Sequence, residues 1–231
     1  MSHDFSFTDL GQEIPTNAEV PQHLDFLPDG REVLVFGDPA GDAQFNHQQG
    51  DNAYGYQGDC GLVSCQDVLN QFGVDVNEND VVGFAVENGL CDSTGDASSN
   101  GGTALEQQAE ILRDYNVPAH AETGRNMQDL ASDIEQNKGV IIEVNAGVLW
   151  NDSQYFDNGA SNHAVVVTGV ARDPTTGEIQ GFYINDSGND ASGSGSGRFV
   201  DVQTMQQAWE ETGGQCVVTD AAHGAAPGSS C

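Results

Sequence analysis

Tyr56-Gln57-Gly58-Asp59-Cys60-Gly61-Leu62-Val63-Ser64 is the stretch on which the reading of this chain turns. A glycine-containing loop runs into Cys60, and from there Leu62, Val63, Cys65, Val68, Leu69 and Phe72 recur at three- and four-residue steps. That spacing predicts a helix over 60–72 with one buried face, stopped by Gly73. Cys60 therefore opens a helix, where unpaired backbone N–H groups and the positive end of the dipole favour a thiolate over a thiol. This makes it the candidate nucleophile. Cys65, five residues on, points to another helical face and reads as core packing. The bland alternative for Cys60 is an ordinary buried thiol, or a disulfide with Cys65 or Cys91.

Upstream, Glu32–Phe36 reads as a strand ended by Gly37-Asp38-Pro39, and 41–59 as a loop of small and polar residues. Residues 1–30, polar and proline-punctuated, are expected to be an N-terminal extension. Downstream, helices are expected over 78–88, ending at Gly89, from a capping box at Thr103-Ala104-Leu105-Glu106 to about Tyr115, and over 126–137. Strands follow at 140–144, 163–170 and 179–185, the last two joined by the turn Asp173-Pro174-Thr175-Thr176-Gly177. The Gly/Ser tract 188–197 reads as a mobile loop, Asp201 caps a short helix through Trp209, and 215–219 returns as a strand. Helices first and antiparallel strands later indicate an α+β domain, a helical half packed on an antiparallel sheet. Its expected limits are 31–220, with 221–231 a flexible tail.

The 231 residues carry 36 Asp and Glu against six Lys and Arg, a formal charge of -30, and Lys138 is the only lysine. Such a surface repels nucleic acid and anionic bilayers, and it is suited to concentrated salt. No apolar run approaches the roughly 20 residues of a membrane-spanning helix, and the start lacks the features of a secretory signal. A soluble chain is expected, its compartment open. The five cysteines lack zinc-site spacing, and Asp186–Asp190 lacks the spacing of a calcium loop, so neither metal nor cofactor is implied.

A thiolate needs a base. His163 stands at the mouth of the apolar run Ala164–Val167, 23 residues before Asp186. Asn185 and Asp186, at the end of the next strand, are the candidates to fix its tautomer; neighbours on a strand point opposite ways, so only one can serve. His3, His23, His47, His120 and His223 have no comparable setting and are read as structural.

These residues resemble a papain-like cysteine peptidase of the C39-like type, the group related to bacteriocin leader-processing peptidases. The likeness rests on Cys60-Gly61 and its helix to Gly73, on His163-Ala-Val-Val-Val-Thr-Gly169, on Ile184-Asn-Asp-Ser187 and on the helix ending in Ala208-Trp209. It covers about 37–219. It implies Cys60 as nucleophile, His163 as base and then acid, Asp186 as orienting carboxylate, and a peptide or protein substrate. It also implies a glutamine six residues before the cysteine as oxyanion donor, but that position is Tyr54. Gln57 is the first substitute, Gln49 the next. The competing readings are a catalytically idle module binding a peptide or a secretion or toxin-system partner, and a deamidase or acyltransferase on the same fold.

Overall fold

The computed structural model describes residues 20–189 and 194–224. Strand β1 (Gln22–Phe26) pairs antiparallel with β2 (Glu32–Gly37), so the sheet begins inside the stretch expected to be an extension. A short helix α1 (Pro39–Asp42) and a 3-10 turn over Ala43–Phe45 then lead into the loop before α2 (Cys60–Gln71). Helices α3 (Glu78–Asn88), α4 (Leu105–Asp114) and α5 (Met127–Ile134) follow, with β3 (Ala119–Glu122) between the last two. The remaining strands are β4 (Lys138–Val144), β5 (His163–Arg172), β6 (Ile179–Asn185), β7 (Arg198–Asp201) and β8 (Cys216–Ala222). Helix α6 (Ala146–Leu149) follows β4; α7 (Val202–Met205), capped by Asp201, runs on through a wider π turn that carries Trp209.

The eight strands form one antiparallel sheet ordered β1-β2-β5-β4-β8-β3, with β6 on the other edge of β5 and β7 beyond it. The ten-residue β5 is the spine: β4 pairs with its first half and β2 with its second. Alternation divides the core. Val140, Ile142, Val144, Val165, Val167 and Val218 pack with α5 and Trp209 on one face. Ile141, Ala164, Val166 and Val217 face Leu62, Cys65, Val68 and Leu69 of α2, with α3 and α4 behind. The α+β class expected from the sequence is what forms, and both faces of the sheet are covered.

Several boundaries move for local reasons. The expected capping box at Thr103–Glu106 shifts by one residue: Ala104 is the N-cap, its N–H donates to Gln107 Oε1, and the Thr103 hydroxyl accepts from Gln108 Nε2 at 3.1 Å. Helix α5 stops at Ile134 because Asn137, at φ 60°, turns the chain into β4. The 173–177 turn forms as expected, with Asp173 Oδ1 accepting from the N–H groups of Thr175 and Thr176 at 2.8 Å each. Among the described residues no helix is long and apolar enough to cross a membrane. His3, Asp190, part of the Gly/Ser tract and most of the expected tail lie outside them.

Candidate active site

Helix α2 delivers Cys60 to the mouth of a cleft of about 350 Å³, where His163 and the side chains of Gln49 and Gln57 also lie. Asp59, the N-cap, makes no side-chain capping bond; the N–H groups of Leu62 and Val63 donate to its backbone carbonyl, which leaves the first N–H groups of the helix and its dipole beside the Cys60 thiol. Gly61 is required beside it: a Cβ there would lie 2.1 Å from Thr103 Oγ1 and 2.7 Å from Gln108 Nε2. Cys60 is partly exposed, whereas Cys65, Cys91 and Cys216 are buried, and all four are free thiols. Burial pushes the Cys65 thiol far up, helped by Glu143, and raises Cys216 to about 12. Among the described cysteines only Cys60 lines the cleft.

His163 is the first residue of β5, and Asp186 is the first beyond β6. The hairpin sets Asn185 opposite Val166, so the chain leaving β6 runs back along β5 toward the histidine. There His163 Nε2 meets Asp186 Oδ1 at 2.8 Å. This leaves Nδ1 for Cys60, whose side chain hydrogen-bonds the imidazole. Burial alone would lower the imidazole pKa, but the Cys60 and Asp186 charges and hydrogen bonds outweigh it and raise it to about 10. Gly188 packs on the ring; a Cβ there would sit 2.8 Å from His163 Cε1.

Asp186 is fully buried and stays ionised. Burial pushes its carboxyl up, but His163, the Trp150 indole N–H at 2.8 Å and Arg198 at 3.8 Å bring it below the ordinary aspartate value. Trp150 also stacks obliquely on His163, ring centroids 5.1 Å apart. Asn185 points the other way, its amide donating to Asp67 Oδ2 and to the Asp42 carbonyl, both at 2.9 Å. The structure thus brings Cys60, His163 and Asp186 together and leaves Asn185 out.

Gln49 acts as a strut: its amide donates to the Gln57 carbonyl at 2.6 Å, its Oε1 accepts from the Ser187 hydroxyl, and its N–H bonds the Ser187 carbonyl. Among the described residues the Gln57 amide donates only a long 3.4 Å bond, to the Gly50 carbonyl. The loop holding both is tied down by Glu78 of α3, whose carboxylate accepts from His47 Nε2, the Asn52 amide and the N–H groups of Gly50 and Asp51. Asp59 hydrogen-bonds the same carboxylate. Burial first, then Glu78, raises Asp59 to about 8; Glu78 falls to about 2 because its bonds to His47, Asp59 and Asn52 outweigh burial. His47 is raised in turn by Glu78.

Sequence reasoning missed Trp150, Arg198 and the Glu78 cluster. Arg198 had a signal, as one of six cations in so acidic a chain, and Trp150 another, as one of two tryptophans. Glu78 had none, because it meets the loop only through folding.

The profile of the Peptidase_C39 like family matches residues 41–217. A search of curated proteins finds no match. Among solved structures, one from Bacillus anthracis, assigned provisionally as a C39-like peptidase, is 18% identical with a TM-score of 0.49. The alignment covers 71% of this chain and 90% of that one.

Proposed function

Because this chain belongs to the Peptidase_C39 like family, a family of peptidases, we propose that it is a papain-like cysteine peptidase acting through Cys60, His163 and Asp186. The observation that carries this reading is the buried Asp186–His163 pair set against a cysteine at an uncapped helix N-terminus. The Cys60 thiolate attacks the carbonyl carbon of a peptide bond, and the C=O electron pair moves onto oxygen. The Cys60 N–H and the Gln57 amide hold that oxyanion. As it collapses, the C–N bond breaks and the imidazolium gives its proton to the departing amine. Water, deprotonated by the now neutral His163, then attacks the thioester, and a carboxylic acid and the Cys60 thiolate are regenerated. Asp186 keeps the ring oriented and stabilises its charged form.

The test is the alkylation rate of each cysteine against pH, resolved by peptide mass spectrometry, together with hydrolysis of a peptide mixture. Cys60 should react fastest well below pH 8 and slow by at least about tenfold in His163→Ala, since the thiolate fraction depends on the ion pair. Cys60→Ala should abolish hydrolysis. If Cys60 reacts no faster than Cys231, or if Cys60→Ala still hydrolyses peptide, the proposal fails. A protein that binds peptide without turning it over would be the idle module instead.

A further inference from the structure

On the other flank of Cys60 a second hollow, about 580 Å³, opens between the start of α4, β3 and the end of β4. The reacting residues do not line it, but three of its wall residues border their neighbours. Thr103, in its wall, abuts Gly61, the residue after Cys60. Ser161, also in its wall, lies two residues before His163, and Glu143 sits opposite Ala164, the residue after it. Glu143 is close enough to His163 for the imidazole charge to act on its carboxyl.

Its chemistry is set by Glu143. One carboxylate oxygen, Oε1, accepts from Gln108 Nε2 at 2.6 Å; among the described residues none donates to the other. Behind it Gln108 is fully buried, and among the described residues its side-chain oxygen Oε1 lacks a donor. Glu122, in the same wall, is already paired with Arg125, while Glu106 stands at the exposed rim. Glu143 is half-buried, and a half-buried carboxylate with one oxygen left without a donor favours a donor or a cation that meets it. Burial accordingly raises the Glu143 carboxyl above its ordinary value, against the pull of Gln108 and His163.

Building on the peptidase reading above, we propose that this hollow is a subsite for a positively charged substrate side chain, lysine or arginine, and that Glu143 is the group that reads it. The overall charge of -30 attracts any basic peptide at long range, but that attraction is screened by salt and blind to position. A contact with Glu143 is short, sheltered and confined to one position of the peptide.

The experiment is a positional-scanning peptide series at moderate salt, cut by the wild type, by Glu143→Gln and by Glu110→Gln, which removes one charge from the exposed face of α4. The wild type should prefer lysine or arginine over norleucine at one position beside the scissile bond. Glu143→Gln should lower kcat/KM for the cationic peptides by roughly tenfold to a hundredfold, the span of a charge-assisted contact, and leave the norleucine peptides unchanged. Glu110→Gln should leave the preference intact. An unchanged thermal midpoint for Glu143→Gln, and a partial preference in Glu143→Asp, separate recognition from misfolding. No cationic preference, or one that survives Glu143→Gln, overturns the subsite. If the wild type cuts nothing, the peptidase reading fails separately. Calorimetry of the same peptides on Cys60→Ala, with and without Glu143→Gln, then decides the subsite: a cation preference in Kd lost with Glu143 supports it, and its absence overturns it.

Discussion

Asp186 and Asp59 are both fully buried, each one hydrogen bond or one residue away from a reacting group, yet they are held in opposite states. Around Asp186 stand His163, Arg198, the Trp150 N–H and the Gly188 N–H at 3.2 Å. Around Asp59 stand another carboxylate, Glu78, and the Asn52 amide at 3.1 Å. Burial raises both carboxyls; the partners then decide, so that Asp186 keeps its charge and Asp59 keeps its proton up to about 8. The difference is one of task. On the proposed peptidase reading a charged Asp186 steadies an imidazolium, whereas a protonated Asp59 can donate to Glu78 and tie the start of α2 to the loop bearing Gln49 and Gln57.

Asp186→Asn should have the largest effect. The amide preserves shape but removes the charge that helps raise His163 toward 10, and kcat/KM should fall by at least about a hundredfold. Leaving-group protonation needs the imidazolium, so the wild-type rate should decline as pH rises through about 10, and in the variant that decline should move to lower pH. A pH-rate profile with an unmoved alkaline limb would show that Asp186 does not act on His163.

Asp59→Asn should have a smaller effect of the opposite kind. Because the folded-state pKa of Asp59 is raised, the native protein keeps a proton that the unfolded chain has lost above about 4. Its contribution to stability therefore falls as pH climbs from about 4 to about 8. Asparagine removes that slope, and urea unfolding should find the variant about 1–3 kcal/mol less penalised than the wild type on going from pH 5 to pH 8. Glu78, lowered to about 2, acts in a separate, more acid window, where stability rises with pH up to about 4. Parallel slopes for the two proteins would mean that Asp59 is ionised like Asp186.

The smallest effect concerns the exposed carboxylates, which neither aspartate resembles. Screening their mutual repulsion should raise the thermal midpoint by about 5 °C between low and molar salt. The pH slope attributed to Asp59 should survive, because buried pairs are screened far less. A flat midpoint would remove the advantage in salt expected from a charge of -30.

Much of the site could be read before folding. Cys60 stood out because the helical period begins there, and His163 because it stands at the mouth of a strongly apolar strand. The 173–177 turn, with Asp173 and Gly177 at its ends, marked the hairpin that carries Asp186 back to that histidine. By contrast β1 and β3 lack a legible pattern, since all five residues of β1 are exposed and β3 is four residues mixing Ala with His120 and Glu122. Their pairing partners, not their own side chains, make them strands.

Local sequence determined what repeats or turns: the periods of α2 and β5, the glycines at 61 and 73, the alternation by which only one of Asn185 and Asp186 can face His163. Tertiary structure alone decided which one. It turned Asn185 toward Asp67, set Trp150 and Arg198 on Asp186, gathered His47, Asn52 and Asp59 on Glu78, and left one oxygen of Glu143 open in a hollow beside the cysteine. Periodicity reports only which face an element buries; what a polar group meets there is set by whichever distant segment packs against it, and in a low-dielectric interior that meeting fixes its charge.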